Sequence, residues 1–206
     1  LARLAGEARA KSARLAELDG ARRAERGTLL AQRSERRKVL ASLASELRRD
    51  RRQMKVLRAD EARLARLVAE LARALPSAAS ATGEVRFSSL RGRLPLPVRG
   101  ELSGRFRGLF IRAPEGQPVR AVAGGRVVYA DWMRGFGNLL IVDHGENYLS
   151  IYANNEALLK QVGDVVEGGE PLALTGASGG NEETGLYFEM RHLGRPFDPR
   201  QWVRLK

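Results

Sequence analysis

Side chains able to hold a metal ion or attack a bond are scarce in this chain, and that scarcity is the first constraint on its chemistry. Two histidines, His144 and His192, stand among 206 residues, and there is no cysteine. Cysteine nucleophiles, thiolate metal sites and disulfides are thereby excluded. A zinc hydrolase uses three protein ligands to hold the ion and commonly a further group to move a proton. Two histidines far apart in sequence do not make that set. His144 lies in an Asp143-His144-Gly145 turn after an apolar run and reads as scaffold, whereas His192 ends a strand-like run and reads as exposed. A zinc site built of carboxylates alone would be unusual for catalysis. Hydrolysis is not expected, nor is any cofactor.

The elements around these residues fall into two halves with different periods. Residues 1–75 contain no proline and are dominated by Ala, Arg, Leu and Glu, the composition of long helices. Leu40, Leu47, Met54, Val68 and Leu75 occupy one heptad position, and Leu43, Leu57, Leu64 and Leu71 the position three residues later. Asp50 and Glu61 interrupt the seam. Such a repeat asks for a partner along its length. A shorter seam uses Leu1, Leu4, Ala8, Leu15 and Leu18, and Gly20 and Gly27 lie between the two. The reading is a coiled-coil helical hairpin, with further coil upstream of residue 1; self-association through the coil is the competing way to cover the seam.

The net charge of +12 is concentrated here: residues 1–75 hold 20 Lys/Arg against 10 Asp/Glu, leaving 16 against 14 for the rest. The charge reads as a solvated helix face. No base-reading motif accompanies it, so no nucleic-acid partner is expected. No apolar run approaches the roughly 18 residues needed to span a bilayer. The first residues also lack the apolar stretch of a signal peptide.

Pro76 stops the helical pattern, and 76–92, rich in Ser, Ala, Thr and Gly, reads as a linker or regulatory arm. From about Arg93 short β-branched runs alternate with glycines: 119–122, 125–130, 138–142, 148–152, 171–175 and 186–191. These spacings predict a mostly antiparallel sheet, so the fold class is α+β, with boundaries at 1–75, 76–92 and 93–206.

Several separated motifs of that sheet region resemble one family. Ala113 to Val127, Val142-Asp143-His144-Gly145, Val162 to Gly169, Leu186 to Arg191 and Phe197-Asp198-Pro199 keep the order and spacing of the LytM (lysostaphin-type) peptidase domain. Active members carry a zinc-binding His and Asp near the first motif, a His-x-His near the last, and another histidine between. Aligned on this chain, those positions become Phe106, Phe110, Gly185, Tyr187 and Asn154. The resemblance therefore implies a zinc peptidase fold without its ligands. A coil followed by such a domain is similar to the murein hydrolase activators. These imply a periplasmic division factor that switches on a zinc amidase, cutting between stem peptide and N-acetylmuramic acid, with the coil engaging an FtsE–FtsX-type complex.

The replacements suit a protein-binding surface. Phe110, Phe136, Leu139, Tyr152 and Tyr187 are expected to form an apolar centre, with Arg107 and Arg191 as a positive edge. Phe188, alternating with Tyr187, is expected in the core. An amidase helix laid into this groove is the expected mode. An apolar groove needs a cover when idle, and part of 58–91 is expected to fold back over it. The alternatives are a peptidoglycan-binding module without activating role and a biotinyl or lipoyl carrier suggested by Val162 to Leu172. A carrier needs a lysine at a hairpin tip, and the only lysines after residue 55 are Lys160 and Lys206.

Overall fold

The computed structural model describes residues 2–74, 86–103 and 108–204. The chain divides into two compact units, Leu1–Val56 and Leu57–Lys206. Among the described residues one helix, α1 (Ala2–Ala74), is followed by ten strands, the expected order of a helical part and an antiparallel sheet domain. The reversal expected between Gly20 and Gly27 is not formed: α1 is a single helix. Each glycine costs about 1 kcal/mol against alanine, and the surrounding Ala, Arg, Leu and Glu outweigh two such defects. In the first unit the seam residues Leu40, Leu43, Leu47 and Met54 are exposed.

The second unit carries β1 (Glu101–Ser103), β2 (Gly108–Arg112), β3 (Pro118–Arg120), β4 (Gly125–Met133), β5 (Gly137–Asp143), β6 (Tyr148–Leu158), β7 (Val165–Val166), β8 (Pro171–Thr175), β9 (Gly185–His192) and β10 (Arg195–Phe197). Their spatial order is β1-β2-β9-β6-β5-β4-β7, with β10 beside β9 and β8 joining β3 to β6. Alternation along the strands sends side chains to two faces. Leu140, Val142, Tyr152, Leu186, Phe188 and Met190 enter the main core. Leu139, Ile141, Leu149, Ile151 and Ala153 form a second cluster, which Leu64 and Val68 of α1 complete.

The sheet domain begins earlier than Arg93. Of the expected linker, 75–85 lie outside the described residues, but Phe87–Leu90 form a 3-10 turn with Phe87 buried. The Phe87 ring stacks on His144 at 4.5 Å and lies 5.4 Å from Trp202. One large apolar side chain in a small polar stretch is enough to tie that stretch to the core.

His144 is scaffold, as expected. Its Nδ1 lies 2.7 Å from the Gly124 carbonyl and its Nε2 2.7 Å from Ser150 Oγ. A carbonyl can only accept, so the neutral ring carries its proton on Nδ1. Burial pushes the imidazole down to about 4. His192, expected as exposed, is half-buried, its ring stacked 4.1 Å from Tyr148.

Candidate partner-binding groove

β2 and β9 run antiparallel with Phe110 directly opposite Tyr187. Each ring lies against a glycine of the other strand. A β-carbon on Gly185 would stand 2.9 Å from Phe110 Cζ, and one on Gly108 would stand 2.7 Å from Tyr187 Cζ. Any side chain at Gly185 or Gly108 would displace a ring, so the two glycines and the two aromatics are one arrangement. Phe136, from the turn between β4 and β5, brings its ring to 5.7 Å from Tyr187. Three of the expected groove residues thus come together. Beside Phe110 and Tyr187 opens a pocket of about 350 Å³ with Ser103, Asn181, Glu182 and Glu183 in its wall.

Beneath the aromatics runs a polar chain. The Tyr187 hydroxyl donates to Glu189 Oε2 at 2.5 Å, and Arg191 Nε donates to Glu189 Oε1 at 2.5 Å. Glu189 and Arg191 are 2% and 4% exposed. Arg191 was expected at a solvent edge; it is instead inside, where a charge persists only when paired. Glu189 was not singled out from the sequence, although period-two spacing puts Tyr187, Glu189 and Arg191 on one face of β9.

Tyr152 is also displaced from its expected place. Its ring is in the main core, 5.4 Å from Phe188, and its hydroxyl accepts from the Val122 N–H at 3.1 Å and is bonded to Ser150 Oγ at 3.0 Å. Along β6 it shares a face with Ser150, not with Ile151 and Ala153, which face the second cluster. Burial holds its phenol up at about 12. Phe188 is core, as expected. Leu139 is fully buried in the second cluster. Phe106 and Arg107 lie outside the described residues.

A zinc ion, which the LytM resemblance would imply, does not fit the side chains at the equivalent positions. Phe110 and Gly185 offer no donor. Tyr187 gives its hydroxyl to Glu189. Asn154 is buried with φ 66, and its backbone N–H donates to the Phe136 carbonyl at 2.7 Å. Among the described residues, no three of His, Asp and Glu converge as a metal-binding group.

The end of α1 packs on this face. Leu64 and Val68 are buried against Leu139, Ile141 and Ile151, with Leu67, Leu71, Phe136 and Tyr187 packed around them. Positions 64, 67, 68 and 71 form one helical stripe. Leu64, Val68 and Leu71 are heptad positions, so the seam that asked for a helical partner finds a sheet.

Comparison with known proteins agrees with this architecture. The model of Peptidase family M23 matches residues 104–199. The Murein hydrolase activator EnvC of Escherichia coli (strain K12) is 33% identical over 214 residues, 82% of this chain and 51% of that protein. The Murein hydrolase activator NlpD of the same organism is 38% identical over 105 residues, 50% of this chain and 27% of its own length. A crystal structure of a putative peptidase M23 from Pseudomonas aeruginosa superimposes with a TM-score of 0.51 at 28% identity, covering 53% of this chain and 49% of that one. The chain thus spans about half the length of the first of these relatives, and less of the second.

Proposed function

We propose that this chain, whose residues 104–199 match the model of peptidase family M23, acts without catalysis as an activator of periplasmic zinc N-acetylmuramoyl-L-alanine amidases during septal peptidoglycan splitting. Relatives named murein hydrolase activators support a peptidoglycan hydrolase as the partner. The observation that carries the finer reading is the aromatic patch of Phe110, Tyr187 and Phe136 standing at and beside ligand-equivalent positions. Apolar aromatic surface backed by a satisfied polar pair suits a protein anchor. The coil is assigned to an FtsE–FtsX-type complex in the same setting.

The occupant has a stated shape. Residues 64, 67, 68 and 71 of α1 already lay a helical stripe on this face, so an amidase helix with apolar residues at the same spacing is the expected ligand. The two helices then compete, and residues 57–74 act as a self-restraining arm. Activation is a shift of population towards the uncovered groove.

The test uses dye-labelled peptidoglycan and a purified periplasmic amidase, with full-chain Leu64→Asp/Val68→Asp protein. Stimulation should exceed that of the unmutated chain and vanish when Phe110→Glu or Tyr187→Glu is added. No stimulation by the uncovered protein, or stimulation indifferent to both glutamates, would sink the reading.

A further inference from the structure

We infer that the chain has a second binding site, for a carboxylate-bearing glycan–peptide of the cell wall, in a cavity that shares no residue with the aromatic groove. The choice of ligand rests on the peptidoglycan setting of the reading above; the cavity does not.

The cavity is an open cleft of about 720 Å³ where the start of β6, the end of β9, β10 and the 3-10 turn Pro199–Gln201 meet. Its wall is made of rings. Tyr148 and His192 are register partners on β6 and β9, stacked at 4.1 Å and 14°. Trp202 lies 5.2 Å from Tyr148 and 5.3 Å from Phe197. Trp202 is buried behind them, while Tyr148, His192 and Phe197 are half-buried and leave part of their rings accessible to the C–H face of a pyranose.

Two exposed cations, Arg91 and Arg195, contribute to the same lining. Gln201 Oε1 accepts from Arg91 Nη2 at 2.9 Å, which orients the guanidinium and leaves the Gln201 amide protons free to donate to a hydroxyl or acetamido oxygen. Among the described residues neither arginine is ion-paired with a carboxylate. Glu146, which interacts electrostatically with His192, is engaged by the Ser88 N–H at 3.0 Å. An unpaired guanidinium fork fits a carboxylate in bidentate fashion. Leu193, 64% exposed and held at φ 50, adds an apolar side chain to the lining. That conformation belongs to the two-residue Leu193-Gly194 turn joining β9 to β10, in which both residues have positive φ. Rings alone would accept any flat or apolar ligand; the arginines select an anion, and Gln201 adds a donor for sugar substituents.

The full chain is titrated with disaccharide–peptide fragments released from sacculi by a muramidase, and with the same fragments after amidation of their carboxyl groups. Saturable binding is expected, with shifted Tyr148 and Trp202 ring signals. It should weaken roughly tenfold in Arg91→Glu/Arg195→Glu and for the amidated fragments. Should the double variant melt early, Arg195→Gln alone should weaken binding in the same direction. Absence of saturable binding overturns the inference, as does equal binding by the variant or by amidated fragments. Capture of purified amidase without peptidoglycan is measured in parallel and should be unchanged in the variant. Failure of that capture by every form of the chain would count against the groove reading alone.

Discussion

Asp60 of α1 and Gly135 of the β4–β5 turn are in such close contact that a β-carbon on the glycine would stand 2.6 Å from Asp60 Oδ2. Gly135 sits at φ +84, in the left-handed region, so glycine serves both the turn and the approach of the helix. Asp60 also accepts from Arg63 Nη1 at 2.9 Å, which fixes its carboxylate over the turn. Gly135→Val should add about 1 kcal/mol or more of backbone strain and push residues 60–71 off the second cluster. Hydrogen exchange at Leu64 and Val68 amides should accelerate, and amidase stimulation should rise. Unchanged exchange would separate this contact from the docking of the arm.

The folded imidazole of His144 titrates at about 4, against 6.5 for an ordinary histidine, because burial disfavours its charged form. The unfolded chain therefore binds the proton first as pH falls. Stability should be complete above pH 6.5 and decline down to about pH 4, by about 3 kcal/mol. His144→Asn should be less stable at pH 7 yet show a flatter profile over that interval. Denaturant midpoints at pH 7.5, 5.5 and 4.5 measure both; an equal slope in the variant would assign the dependence to other groups.

Glu189 joins Tyr187 to Arg191 with two 2.5 Å bonds in a buried site. Glu189→Ala leaves a buried guanidinium unpaired and should cost about 3–5 kcal/mol of stability. Glu189→Gln keeps an acceptor for Tyr187 and should recover part of that stability. If the pair also positions the Tyr187 ring, amidase affinity follows the same order in protein that is still folded. Equal affinity in all three would confine the pair to a structural role.

Tyr152→Phe deletes a core hydroxyl bonded to Ser150 and the Val122 N–H. A loss of about 1–2 kcal/mol in stability is expected, with amidase binding unchanged. Reduced binding at unchanged stability would return Tyr152 to the groove.

Much of the sheet was legible because glycine-punctuated β-branched runs carry a two-residue period. The runs expected at 125–130, 138–142 and 186–191 lie inside β4, β5 and β9. The period also separates Phe188 from Tyr187. For Tyr152 it offered two faces without saying which was core. That choice follows from pairing, since Tyr152 stands opposite Phe188 in the ladder while Ile151 stands opposite Glu189. The very short β1, β7 and β10 carry too few residues to show a pattern and exist because neighbours pair with them.

By itself the sequence limited the chemistry within reach: with two histidines and no cysteine, residue type alone excludes a thiolate site and a three-histidine zinc site. It also determined that α1 has an apolar seam in need of cover, because a heptad is a local property. Tertiary structure decided what covers the end of that seam, setting Leu64 and Val68 on a sheet face rather than another helix. It likewise put Arg191 inside with Glu189 and set each aromatic against the other strand's glycine. Those outcomes depend on which strands lie side by side, a relation between residues distant in sequence that no local period encodes.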